Sequence, residues 1–206
     1  MEYYIYNVPL FVVDRPDESV HIGEFCSEVE DYLAPGLLRD VEVIYIGNFK
    51  ELGDRNAMFS NGGIYMTSLE PTTFDMVENF VHEVAHSLEQ RYGPHIYSDE
   101  LITEFKGKRE RLRHALEAEG FYINPALYQF SEYNRKFDDF LANTVGYPTL
   151  LTLTMGLFCS PYGATSIQEY FANGFEKYFL DNPRAVRDIS PTLYEKIEEI
   201  INDNET

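Results

Sequence analysis

The chain has 206 residues, 44% of them hydrophobic and 15% aromatic, enough for one sizeable core. Its 35 acidic residues against 16 basic ones give a formal charge of -19. That balance is the reverse of a nucleic-acid binder's and argues against DNA or RNA as a partner, whereas a basic peptide would suit the field.

Residues 1–13 lack a basic n-region and contain Pro9, so they read as a strand and not as a secretory signal. The longest apolar run, Tyr147 to Phe158, is too short to span a bilayer, and no membrane partner is expected. Cys26 and Cys159 stand far apart and suggest no disulfide framework. The default is therefore a reducing, cytoplasmic setting, with export by a route that needs no signal peptide left open.

Taken in order, Tyr3 to Val13 is β-rich, with Pro9 marking an edge or a break. Ser19 to Leu33 has helical spacing at Val20, Phe25, Val29 and Leu33, and Pro35-Gly36 stops it. Val41 to Ile46 is a strand; a loop through Gly53, Asn56 and Asn61-Gly62-Gly63 leads to a short strand, Ile64 to Thr67. That last strand is either a plain sheet strand or one that pairs with an extended substrate.

The next stretch predicts a helix over residues 73–92. Val77, Val81, Val84 and Leu88 make a buried stripe, Thr72 with Asp75 reads as an N-cap after Pro71, and Gly93-Pro94 should end the run. Within it lies His82-Glu83-Val84-Ala85-His86. Residues four apart share one helix face, so His82 and His86 can offer two imidazole nitrogens to one ion. Glu83 sits about 100° further round, beside such an ion, where a carboxylate can take a proton from water. The motif predicts a zinc hydrolase; the bland alternative is a solvated helix that happens to carry these residues.

Beyond Gly93 the chain reads as helical. A helix from about Ser98 to Ala118 has Leu101, Phe105, Lys108, Leu112 and Ala115 on one face; Lys106, Arg109, Arg111 and Arg113 form a basic face expected to be solvated. Ser131 to Val145 is amphipathic, with Tyr133, Phe137, Phe140, Leu141 and Val145 as core, and Pro148 to Phe158 reads as a short buried helix. Asn182-Pro183 is a turn, and a final helix packs Leu193, Ile197, Ile200 and Ile201. The fold class is α+β in one domain, residues 1–206: a small sheet with the histidine helix over 1–95, then a mostly helical part over 96–206.

Zinc needs a third protein ligand and an open position for water. An extended HExxHxxGxxH pattern is absent, because Glu89 and Tyr92 stand where glycine and histidine would be. His21, His95 and His114 lack a matching context. The better candidate is Glu169, near the start of a helix capped by Thr165 or Ser166 whose buried side is Ile167, Phe171, Phe175 and Tyr178. A charge there is costly unless compensated, and a zinc ion would compensate it. Asn173, one turn on, is placed to hydrogen-bond an outer nitrogen of a ligand histidine. Glu176 is the fallback ligand, and a solvent-facing Glu169 is the plain alternative.

The pair of motifs, His82-Glu-Val-Ala-His86 and the Glu169-Tyr-Phe-Ala helix, resembles the gluzincin peptidases. It is most similar to the catalytic domain of anthrax lethal factor and its relatives, including the Pro-Pro endopeptidases. That family carries a Tyr-Gly shortly before its glutamate ligand, and Tyr162-Gly163 stands seven residues before Glu169. The resemblance implies that Tyr162 projects its phenol into the cleft, supporting the oxyanion or the leaving amine. It covers residues 60–95 and 158–203. His86 and Glu169 are 83 positions apart, an interval filled by the helices of 98–158, so substrate preference does not carry over.

The expected function is a zinc endopeptidase acting on a protein or peptide. His82, His86 and Glu169 would hold one Zn2+, Glu83 would be the general base, and Tyr162 an auxiliary catalytic group. The alternatives are a metal- or peptide-binding protein of the same fold without turnover, and a gluzincin that cuts transcriptional repressors.

Overall fold

The computed structural model describes residues 3–204 and is α+β, a five-stranded N-terminal sheet followed by a mostly helical chain. It forms two compact units, one of residues up to 92 together with those from 200, the other of residues 93–199.

In the first unit the sheet order is β1-β2-β3-β5-β4. The β-rich run at the start divides into β1 (Tyr3–Ile5) and β2 (Val8–Val12), paired antiparallel across a turn in which Tyr6 has φ 52. Pro9 faces Tyr4 and precedes the Leu10↔Ile44 register with β3 (Val43–Gly47), so its missing N–H costs that ladder nothing. β2, β3 and β5 (Gly63–Thr67) run parallel, and α1 (Ile22–Tyr32) is the crossover from β2 to β3. Ile5, Leu10, Ile44, Ile46, Ile64 and Met66 alternate onto the buried face.

The loop expected before β5 contains a further strand, β4 (Ala57–Ser60), antiparallel to β5. The turn is Asn61-Gly62, both at positive φ (49 and 80), the conformation a two-residue hairpin favours. β5 therefore has neighbours on both sides. It is a plain sheet strand, and the outer strand is β4.

α2 (Thr73–Ile96) carries the histidines. Thr72 Oγ1 accepts from the Asp75 amide at 3.1 Å, the expected cap, and Val77, Val81, Val84 and Leu88 are fully buried. The expected stop at Gly93-Pro94 is wrong. The helix runs one turn further, Tyr97 N–H still reaches the Gly93 carbonyl at 2.9 Å, and buried Ile96 anchors the end. A proline deletes one helical hydrogen bond, and packing of the next turn overrides that loss.

Glu70, just before α2, is 1% exposed and accepts from Asn79 Nδ2 at 2.9 Å. Burial, and then the charge of Asp75, push its carboxyl up to about 7. Because the folded-state value is raised, the fold favours the protonated acid, and stability falls as pH rises from the unfolded value near 4.5 through about 7. Above that window the penalty is about 3 kcal/mol. Glu70→Gln is thus expected to stabilise the protein at pH above 7 and to change little below pH 4.5. Urea unfolding on either side of the window measures it.

In the second unit, α3 (Asp99–Ala118) buries Leu101, Phe105, Lys108 and Leu112 as expected, but Arg109 is buried as well. Its position four after Phe105 and three before Leu112 puts it on the inner stripe, not on a solvated basic face. Its guanidinium stacks 4.0 Å from the Phe137 ring centre and donates to the Phe130 carbonyl, and burial pushes its pKa down to about 10. Arg113, by contrast, pairs with Glu110 and Glu117 near the surface.

The helix expected over 131–145 starts later, as α4 (Arg135–Asp139), because Asn134 caps it at the Phe137 amide; a π turn continues to Val145. Tyr133 lies before that cap and is exposed, donating to Asp138 Oδ2 at 2.9 Å, so it is not core. α5 (Tyr147–Thr154) is not buried all round, since Tyr147 and Leu151 face solvent. α6 (Ile167–Leu180) follows, and Asn182 caps a short α7 (Pro183–Ile189) where only a turn was expected. α8 (Pro191–Asn204) buries Leu193, Ile197 and Ile200, and Leu193 fits against Gly174 of α6. Among the described residues, no helix is long and apolar enough to cross a membrane, and Cys26 and Cys159 are both free.

Candidate metal centre

The four-residue spacing on α2 brings the imidazoles of His82 and His86 together, with their Nε2 atoms 3.2 Å apart. Two nitrogens bound tetrahedrally at about 2.0–2.1 Å stand about 3.3 Å apart, so the pair already has the separation of a chelate. On the far side of the His86 ring, Nδ1 lies 2.6 Å from Glu89 Oε1. A carboxylate there holds the Nδ1–H tautomer and turns the Nε2 lone pair toward His82. In the sequence, Glu89 stands where an extended motif would place glycine. Its position three after His86, on the same helix face, was the signal for this second role. Glu89→Ala is expected to weaken divalent-metal affinity about 10–100-fold, and chelator competition measures the loss.

Glu83 is buried, and its Oε2 accepts the Phe59 amide of β4 at 2.6 Å. Across a two-residue hairpin with Ser60 opposite Gly63, Phe59 occupies a position whose amide points away from β5. The outer edge of the sheet thus grips the carboxylate next to the histidine pair. No pattern in the sequence around Phe59 announces this contact.

Ser166 caps α6, its hydroxyl accepting the Glu169 amide at 3.1 Å, and this fixes Glu169 in the first turn. One nitrogen from each of His82 and His86 and a Glu169 carboxylate oxygen all lie within 4.8 Å of one another, a group that could hold a metal ion. Two imidazoles and one carboxylate are a donor set suited to a borderline cation such as zinc, with a coordination position left for water. Among the described residues it is the one such group. Glu176, the fallback, is not part of it, nor are His21, His95 and His114. His95 pairs with Glu199 at 2.7 Å, His114 is exposed on α3, and His21 precedes α1. Tyr92, where an extended motif would place histidine, donates to Asp203 and accepts from Asn204.

Asn173 does not reach a histidine. Its Nδ2 donates to the Glu169 carbonyl at 2.8 Å and its Oδ1 accepts from Ser160, whose hydroxyl also receives the Gly163 amide at 3.3 Å. The side chain instead ties α6 to the turn carrying Tyr162. Tyr162 is 46% exposed, and its hydroxyl is hydrogen-bonded to the Glu169 side chain. Burial, and then the Glu169 charge, push the phenol above its ordinary value. Tyr162 is therefore a protonated donor beside the candidate ligand. Comparison with known protein families, with curated proteins and with solved structures returns no match.

Proposed function

We propose that this chain is a zinc-dependent endopeptidase of the gluzincin type, resembling the catalytic domain of anthrax lethal factor and the Pro-Pro endopeptidases. The observation that carries the reading is the grouping of His82, His86 and Glu169 around one position, with the Glu83 carboxylate held one residue along from His82. A metal-storage or purely structural site has no use for a fixed base beside the ligands.

His82, His86 and Glu169 would hold the ion, the first two through Nε2. Bound zinc supplies Lewis acidity, lowering the pKa of water from 15.7 to about 7 and polarising a carbonyl oxygen. Glu83, fixed through Oε2 by the Phe59 amide, accepts the proton of the attacking water and returns it to the leaving amine. The Tyr162 hydroxyl, neutral and lying beside Glu169, donates a hydrogen bond to the oxygen that gains charge. An extended substrate that adds to the sheet does so at β4, because β5 is paired on both sides.

The formal charge of -19 favours a substrate with basic residues. Metal analysis of the purified protein, combined with peptide-library profiling by mass spectrometry, tests the function. One zinc per chain and metal-dependent cleavage are expected. Stoichiometric zinc with no turnover on the library would favour the binding-only alternative. Tyr162→Phe is expected to retain metal and lower kcat, read from steady-state kinetics on a library hit.

A further inference from the structure

Arg109 is 0% exposed, and among the described residues no carboxylate pairs with it. Its guanidinium stands 4.0 Å from the Phe137 ring centre and 5.2 Å from that of Phe105, and Nη1 donates to the Phe130 carbonyl. Nε and Nη2 are buried too, and neither has an acceptor. Those two nitrogens lie on one edge of the planar group, the fork with which arginine grips an anion.

A second side chain shows the same deficit. Tyr128 is 1% exposed, its hydroxyl has no partner, and its ring packs edge to face on the same Phe137 ring, centres 4.9 Å apart. Burial, and then the charge of Glu117, push the phenol up to about 12, so the hydroxyl keeps its proton and donates.

Buried polar groups are almost always hydrogen-bonded, and a buried charge costs far more than a buried dipole unless it is compensated. Here three donors, two of them on a cation, go unmet around one phenyl ring. The ring faces of Phe105 and Phe137 offset part of the charge but accept nothing from the Nε–Nη2 edge. A water molecule would meet the hydrogen bonds and leave the charge; an anion meets both.

We infer that the Nε–Nη2 edge of Arg109 and the Tyr128 hydroxyl form a binding site for a small inorganic anion of the chloride class. The charge follows from Arg109, a single cation that one negative charge neutralises. The size follows from the setting, since both side chains are enclosed among aromatic rings with no room for the body of an organic acid. The net charge of -19 does not oppose an anion at this point, because Glu110 and Glu117, whose charges reach Tyr128, are tied to Arg113. The bound ion joins α3 to the turn Pro125–Gln129, with Phe137 of α4 packed on both its ligands. Neither residue belongs to the candidate metal centre, so the inference stands whether or not zinc binds.

The test is the melting temperature of the full chain by calorimetry at constant ionic strength, with NaCl replacing sodium gluconate. Wild-type Tm is expected to climb about 3–6 °C for each tenfold rise in chloride above the dissociation constant. Tyr128→Phe keeps the ring and is expected to need about 10–100-fold more chloride for the same rise, the worth of one hydrogen bond to a charge. Arg109→Met is expected to melt at one temperature throughout the series; should it fail to fold, Tyr128→Phe decides alone. A wild-type Tm that is the same in chloride as in gluconate would leave only water on the fork and overturns the inference. So does a chloride dependence that Arg109→Met or Tyr128→Phe retains in full.

Discussion

Replacing Glu83 with glutamine is expected to leave the metal in place and to lower peptide hydrolysis by about 10²–10⁴-fold, the usual contribution of a general base. The substitution suits the site because Gln keeps an oxygen for the Phe59 amide, which donates to the Glu83 carboxylate at 2.6 Å. The buried surroundings of the side chain are thus little disturbed, and only basicity is lost. Kinetics on a cleaved library peptide, with zinc content measured on the same sample, separate the effects. A Gln variant that cleaves as fast as wild type would show that the proton goes elsewhere. Loss of zinc together with activity would assign Glu83 to holding the site.

The second large effect is at the ligands. His82→Ala and Glu169→Ala are expected to lose metal affinity well beyond the ~10–100-fold of a Glu89 substitution, and activity with it. Glu176→Ala should leave both unchanged, because Glu176 stands outside the group that closes to within 4.8 Å. Since metal that binds only the folded chain raises its stability, added zinc should raise the Tm of wild type and of Glu176→Ala but not of Glu169→Ala. Differential scanning calorimetry with and without zinc reads this directly. If Glu176→Ala behaves like Glu169→Ala, the ligand assignment on α6 is reversed.

The parts of the fold legible in the sequence are those governed by local rules. The α2 stripe of Val77, Val81, Val84 and Leu88 follows helical period, the Thr72 cap is local chemistry, and the Ser166 cap sets Glu169 one turn into α6. The histidine pair needed nothing beyond the helix itself. Elsewhere tertiary packing overrides those rules. Pro94 stays helical because Ile96 is buried beyond it, and Arg109 goes inward because Phe105, Phe130 and Phe137 receive it.

Asn61-Gly62 is a strong hairpin signal and marks β4, whereas which of that strand's amides holds Glu83 is set by tertiary packing. Asn173 illustrates a different limit: its helix face followed from period, but its partner, Ser160, comes from a turn whose course no spacing predicts.

X-ray absorption at the zinc edge of the reconstituted protein is the most direct test of the three-residue centre. One zinc per chain is expected, with nitrogen and oxygen alone bound at about 2.0–2.2 Å and imidazole scattering for two histidines. In Glu169→Ala that spectrum should be replaced by that of free or loosely held zinc. A sulfur shell near ~2.3 Å, or an unchanged spectrum in Glu169→Ala, would contradict it.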